Sequence, residues 1–355
     1  MVASEPKKEV AQPAPRNLGD YFGVCLLVMD DNHYLPEWLA YHYTFLPLRR
    51  LIVAVDPKSR TSPSGIFDRF RGLMNITEWG DNKFLPVGFD SLSGSDEHMN
   101  VDNPIAIHRY RQKYFYKACT EALKEESSTT WVAFVDSDEY IAPNWGAKNL
   151  KNAKARDLIV HYNNQMTVLD IFRANRRMNL KFKSPCLPMR RIPVTIRESP
   201  HDEVCRNVPD GINASTLMTL RFRYARDVRP DYIPGKSMVD LSRVNASDIR
   251  SHNHNVHRPV RSVCTEVDLW LARRRSPFVV YHYPGTLDAF LFRKDPRNGT
   301  RTEEQYYGKY SNMTELFEED SARFWIFRFV ENVTFWRKRK NYFVEPASLG
   351  LNRNL

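Results

Sequence analysis

Residues 131–143 read WVAFVDSDEYIAP, and the fold turns on how that stretch is understood. Its first half, 131–135, is apolar and partly β-branched, the composition of a strand buried on both faces. Within one residue it turns acidic, at Asp136, Asp138 and Glu139, and Pro143 is expected to end regular pairing. In open α/β sheets, ligands bind beyond the carboxyl ends of the strands. Two aspartates at i and i+2 just past such a strand can point at one spot in that crevice. Oxygen ligands of this kind suit Mg²⁺ or Mn²⁺ ions that remain attached to substrate phosphates. A solvated turn after a core strand is the plainer alternative.

Moving outward, residues 21–29 (YFGVCLLVM) form a second buried-strand run, broken by Asp30, Asp31 and Asn32. In 34–43, Leu35, Trp38, Leu39 and His42 share one helical face, with Pro36 near the start and Asn32 as a cap. Residues 51–55 (LIVAV) are another strand, ending at Asp56. Strand, helix, strand opens a doubly wound parallel sheet. A helix over 66–73, a strand near 74–79, a long polar loop to 103 and a strong helix over 110–124 lead into the acidic strand. Farther on, 188–197, 217–224 and 278–283 read as strands and 315–336 as one long aromatic helix. The predicted organisation is a leader or stem over 1–18, two halves of one domain over 19–145 and 146–300, and a C-terminal helical extension over 301–355.

The chain has 355 residues, 42% of them hydrophobic, which suffices for a large core. Its net charge of +10 suits an anionic ligand, but no nucleic-acid-binding signature accompanies it. Among the five cysteines no C-x-x-C occurs, which argues against a zinc ribbon or redox motif. Cys25, in an apolar run, reads as a buried free thiol, and Cys186 and Cys205 could pair. Six N-x-[ST] sequons, at Asn75, Asn213, Asn245, Asn298, Asn312 and Asn332, exceed the about two or three expected by chance. They point to a luminal or extracellular protein, and the expected setting is the Golgi or ER lumen. With no secretory signal and no run of about 18 apolar residues, membrane association implies an anchor missing from this chain.

Asp31 follows the first strand and Asp56 the second, so both fall on the edge that carries Asp136 and Asp138. They either meet a ligand there or cap turns. The histidines at 252, 254 and 257 offer imidazoles to a metal, or simply line a solvated loop. Lys236, in a Gly-Lys-Ser triplet that is not a P-loop, could neutralise a pyrophosphate.

In order, these motifs resemble glycosyltransferase family 92 and its family 2-like relatives. They are D-D-x-x-Y-L-x-E-W-L-x-Y-H (30–42), a strand ending in Asp56, R-Q-x-x-x-Y-x-x-C (111–119), the 131–141 stretch, K-S-M-V (236–239) and H-Y-x-x-x-x-x-x-F (282–290). The resemblance covers roughly residues 20–300. It implies a GT-A-like, Rossmann-like α/β fold: a mostly parallel sheet flanked by helices, with an elaborated C-terminal acceptor region. It also implies an inverting, metal-dependent transfer from a UDP-linked nucleotide sugar to a glycan or glycoconjugate hydroxyl. On this resemblance Asp136 and Asp138 hold Mn²⁺ (or Mg²⁺), with Asp138 the direct ligand, and His252 or His254 joins them. Asp31, Asp56, Gln112, Asp136 and Lys236 contact the nucleotide sugar. Asp202 and Glu203 are the choice for the base that takes the acceptor proton, or else they form structural salt bridges with Arg190, Arg191 or Arg206. Two departures stand out: Asp30-Asp31 replaces the family's Asn-Glu pair, and a glycine-rich acceptor loop after the acidic strand is not evident. Two other classes fit the same acidic edge, a metal-dependent phosphoesterase or nucleotidyltransferase and a catalytically inactive GT-A-like glycan-binding protein.

Overall fold

The computed structural model describes residues 22–87, 104–126, 131–144, 184–201, 212–226, 235–250, 257–264, 278–293, 301–310 and 316–318. It also describes single positions between them, including 89, 168, 170, 171, 204, 208, 276, 325, 326 and 329. The chain opens with strand β1 (Phe22–Val28), helix α1 (Leu35–Phe45), β2 (Leu48–Val55), α2 (Ser64–Phe70) and β3 (Asn75–Trp79). Helix α3 (Pro104–Glu125) then leads into β4 (Trp131–Phe134) and β5 (Glu139–Pro143). The second half supplies β6 (Cys186–Pro193), a short helix α4 (Met218–Arg221), β7 (Tyr224–Arg226), β8 (Lys236–Asp240) and helix α5 (Ala246–Arg250). After these come β9 (Phe278–His282), α6 (Leu287–Phe292), α7 (Glu303–Tyr310) and β10 (Leu316–Glu318).

Eight strands form one sheet in the order β3-β2-β1-β4-β8-β6-β9-β5, and β7 and β10 pair separately. The first four run parallel; β8 pairs antiparallel with both β4 and β6, β9 runs parallel to β6, and β5 antiparallel to β9. This is a mixed, mostly parallel sheet flanked by helices, an α/β architecture. The period-2 alternation of its strands explains the layers. Val24, Leu26 and Val28 face one cluster with Trp38, Leu39 and Phe67, on α1 and α2. Cys25, Ile52, Ala54, Val132 and Phe134 face the other, against Phe115, Tyr116, Cys119 and Leu123 of α3. β4 and β5 lie four places apart in the sheet, yet only residues 135–138 separate them in sequence. The sheet therefore curls to bring its far edge back to the end of β4.

Several expectations are corrected. Cys25 is not a free thiol: it faces α3 and is bonded to Cys119 there. Cys186 is bonded to Cys264 and not to Cys205, which lies outside the described residues. The 217–224 run is not one strand, because Met218–Arg221 form a helical turn whose first N–H groups are held by a distant carboxylate. The backbone N–H groups of Met218 and Thr219 donate to Glu37 at 2.6 and 2.9 Å. Within 315–336, Leu316–Glu318 is a strand paired with β7, and Trp325, Ile326 and Phe329 are helical positions. Pro143 ends β5 as its last paired residue, opposite Phe278. The strong helix begins six residues ahead of 110, at Pro104, where proline's missing N–H is no loss. Asn32 does not cap α1; the Asp31 carbonyl accepts from Tyr34 and Leu35, and the Asn32 amide donates to Ser62 O.

Candidate active site

Because β1, β2 and β4 run parallel, their carboxyl ends lie together, and Asp31, Asp56 and Asp136 leave the sheet on one edge. The turn carrying the acidic triplet is closed by Glu139 N–H donating to Asp136 O at 3.1 Å. It is held from below by Trp38, whose buried indole N–H donates to Asp136 O and Glu139 O at 3.1 and 3.0 Å. One turn along α1, Tyr41 OH donates to Ile141 O at 2.6 Å. The aromatic residues of the 30–42 motif thus fix the turn that carries the acids. Asp30 takes a left-handed backbone conformation (φ 55°), which a short polar side chain tolerates. Its carboxylate accepts from Arg60 N at 2.7 Å and Arg60 Nε at 3.1 Å.

The acids differ in how they are matched. Lys236, 1% exposed at the start of β8, places Nζ 2.7 Å from Asp136 Oδ2 and 3.0 Å from Glu139 Oε2. Glu139 is fully buried; its Oε2 also accepts from Asp136 N–H at 2.9 Å. Arg191 Nε lies 2.7 Å from its Oε1, an ion pair without hydrogen-bond alignment. Asp138 sits otherwise. His282 Nε2, at the end of β9, is 3.5 Å from Asp138 Oδ2, Arg293 Nη1 is 3.6 Å from the same oxygen, and Arg293 Nε is 3.6 Å from Asp31 Oδ1. Asp138 Oδ1 and Asp31 Oδ1 are buried with no hydrogen-bond partner.

The electrostatics follow from this. Burial pushes the Asp136 carboxyl up, but the Lys236 ammonium outweighs it and holds the group below its ordinary value. Burial acts on Asp138 in the same sense and is overcome by His282 and then Arg293, so this carboxyl stays ionised at any ordinary pH. Burial raises the Asp31 carboxyl in spite of Arg293.

Among the described residues, Asp136, Asp138 and Glu139 form a group with carboxylate oxygens within 4.8 Å of one another. Glu139 is a poor ligand, since both its oxygens are engaged. Asp138 offers a buried, unpartnered oxygen, and Asp136 is 34% exposed along its side chain. With the His282 imidazole beside them, this oxygen and nitrogen donor set fits one Mn²⁺- or Mg²⁺-like ion.

The remaining candidates fall as follows. Asp56 accepts from Lys58 N–H at 2.9 Å, a turn role, and is ion-paired with Arg111, which also binds Asp81 at 2.6 Å. Asp31 likewise serves its own turn, accepting from Met29 N–H at 3.0 Å. Gln112 is half-buried on α3 beside Arg111. Asp202, Glu203, His252 and His254 lie outside the described residues. His257 shares a corner with Lys236: its Nδ1 is 2.8 Å from Gly235 O, and burial with the nearby ammonium lowers it to about 4. The sequence offered Arg191 only as a salt-bridge partner for Asp202 or Glu203, whereas it pairs with Glu139; Arg293 was not singled out, and His282 entered only as part of a motif. Their one signal was a strand ending in His-Tyr, because tertiary folding alone brings β6, β9 and α6 to this edge.

No family profile matches the chain, and no curated protein does. Solved structures do match. The S. aureus TarS crystal structure is 12% identical with a TM-score of 0.31, over 75% of this chain and 36% of that one, so the chain spans about a third of TarS. Core-mannan synthase A (CmsA/Ktr4) from Aspergillus fumigatus, in its Mn/GDP form, is 11% identical with a TM-score of 0.33, over 88% of this chain and 93% of that one. At such distances these likenesses carry no functional argument.

Proposed function

We propose that this chain is a glycosyltransferase that moves a sugar, with inversion, from a UDP-linked nucleotide-sugar donor to a hydroxyl of a glycan or glycoconjugate. The observation that carries the reading is the convergence of Asp31, Asp136 and Asp138 on one sheet edge, where Asp138 keeps a buried unpartnered oxygen beside His282. Asp136, Asp138 and His282 would hold a divalent ion, and the chemistry such an ion supplies is neutralisation of the departing diphosphate. The order of family-like motifs supports the same reading. In it, Asp31, Asp56 and Gln112 meet base and ribose, and residues 19–145 form the donor half. Asp202 or Glu203 removes the acceptor proton, and His252 or His254 adds a metal or phosphate contact. The charge balance speaks against a two-metal phosphoesterase or nucleotidyltransferase, because Lys236 and Arg191 already occupy Glu139 and one side of Asp136.

The proposal extends to a luminal, Golgi or ER setting. Two disulfides suit an oxidising compartment, and the three described sequon asparagines, Asn75, Asn213 and Asn245, are exposed. No helix among the described residues is long and apolar enough to cross a membrane.

A thermal-shift panel of UDP-, GDP- and CMP-sugars with and without Mn²⁺ tests the activity. UDP-sugar with Mn²⁺ should raise the melting point by several degrees, since saturation to about 100 times Kd stabilises by about 2.7 kcal/mol. Asp138→Asn should remove the Mn²⁺-dependent part of that shift. A flat panel, or an unchanged shift in the variant, would count against the reading.

A further inference from the structure

The segment after β9 is a strap drawn across the acidic edge and fastened at both ends. At its start, Gly285 has φ 79°, and a Cβ there would collide with the Tyr34 hydroxyl and ring. Tyr34 OH donates to Pro284 O at 3.2 Å, and Tyr306 OH, from α7, donates to Gly285 O at 2.6 Å. Thr286 Oγ1 then caps α6 by accepting from Ala289 N–H at 3.2 Å. At the far end, the Arg60 guanidinium lies 3.7 Å over the Phe292 ring and donates to Phe292 O, while its Nε holds Asp30. Neighbouring acids therefore grip neighbouring strap residues: Asp30 reaches Phe292 through Arg60, and Asp31 meets Arg293 directly.

This fastening sets the Arg293 guanidinium between Asp31 and Asp138, at 3.6 Å from each, with 23% of the side chain exposed. Those separations are ion pairs, longer than the about 2.7–2.9 Å of a seated charge-assisted hydrogen bond. Lys236 is sealed at 1% exposure, and Arg191 sits 2.7 Å from the fully buried Glu139. Arg293 instead neutralises Asp138, the same carboxylate that the proposed metal site uses. Two cations on one carboxylate oppose each other. A planar guanidinium displaced from Asp138 meets the geometry of phosphate oxygens as a two-pronged donor.

We propose that Arg293 is a diphosphate-binding residue that exchanges with a divalent ion at Asp138. Without ligand it balances Asp31 and Asp138; with ion and donor bound it engages the diphosphate oxygens. This inference rests on the glycosyltransferase reading above, and its test separates the two. Isothermal titrations of the whole chain would compare wild type with Arg293→Gln and Arg293→Lys. The probes are Mn²⁺ alone, then UDP, inorganic pyrophosphate and uridine at saturating Mn²⁺. Arg293→Gln should bind Mn²⁺ alone more tightly, by about threefold or more, because the competing cation is gone. It should bind UDP and pyrophosphate about tenfold more weakly and uridine unchanged. Arg293→Lys, which keeps the charge without the fork, should fall between the two and covers the case in which glutamine leaves Asp31 too poorly compensated to fold.

A merely structural role would weaken Mn²⁺, UDP and uridine together. That outcome, or unaltered UDP and pyrophosphate affinity in either folded variant, overturns the assignment of Arg293 while leaving the activity standing. A wild type that binds neither UDP nor pyrophosphate overturns both.

Discussion

Lys236 shows what a single residue does here. It is an ammonium sealed in the protein, and what makes that tolerable is the pair of carboxylates at 2.7 and 3.0 Å. Removing one member of a buried ion pair strands the other, an effect of about 3–5 kcal/mol. Lys236→Met should lower stability by about that much at neutral pH, read by urea unfolding. The pH dependence has a definite sign. The Asp136 carboxyl is held below its unfolded value of 3.8, so its stabilisation is present above that value and is lost as pH falls through the folded value. The gap between variant and wild type should therefore narrow in acid. Equal losses at every pH would mean that Lys236 matters only for packing. The sequence showed a lysine in a Gly-Lys-Ser triplet and suggested a phosphate contact. It could not show that β8 pairs antiparallel to β4 and so turns this side chain inward beneath Asp136.

At the scale of elements, Glu37 fastens α4 to α1. It is 2% exposed and accepts from Met218 N–H, Thr219 N–H and Thr219 Oγ1, and Trp325 Nε1 donates to the same hydroxyl at 3.2 Å. Burial pushes its carboxyl up to about 7 against the pull of these donors. A folded value raised above the unfolded 4.5 means that stability is fullest below about 4.5 and declines as pH rises to about 7. The decline amounts to about 3 kcal/mol, at about 1.36 kcal/mol per unit. Glu37→Gln should flatten that slope in melting curves taken between pH 4.5 and 7.5; an unchanged slope would place its origin elsewhere.

This element also marks the limit of sequence reading. β1, β2 and β4 were legible because each contains an apolar run, 51–55 in the case of β2, and α1 because Leu35, Trp38 and Leu39 share a face. α4 was not, since its four residues owe their helical turn to a carboxylate 181 positions earlier. The acidic triplet was plain in the sequence, whereas its counter-ions Arg191, His282 and Arg293 come from strands and a strap whose neighbours no local pattern specifies.

For the molecule as a whole, the disulfides join distant parts of the chain. Cys25–Cys119 closes 94 residues and ties β1 to α3; Cys186–Cys264 closes 78. Loops of that length restrict the unfolded chain by about 4–5 kcal/mol each in the chain-entropy view. Reduction should lower the melting point markedly, and Cys25→Ala/Cys119→Ala should reproduce part of that loss. In a eukaryotic host that secretes or retains the protein in the lumen, glycosidase treatment should also reduce its mass. Free thiols in protein purified from such a host, with no mass change, would argue for a reducing compartment.

The curl of the sheet has one more consequence. Four inter-strand steps of about 4.8 Å would carry β5 roughly 19 Å from β4 if the sheet lay flat. The turn over 135–138 allows no such distance, so the acidic residues are the buckle that closes a belt of β4, β8, β6, β9 and β5. A buckle cannot be lengthened without slackening the belt. An insertion beside Ser137 would thus loosen the grip of Trp38, part His282 from Asp138 and open the sheet in one event. Evolution can retune this site by exchanging side chains, but not by growing the turn that bears them.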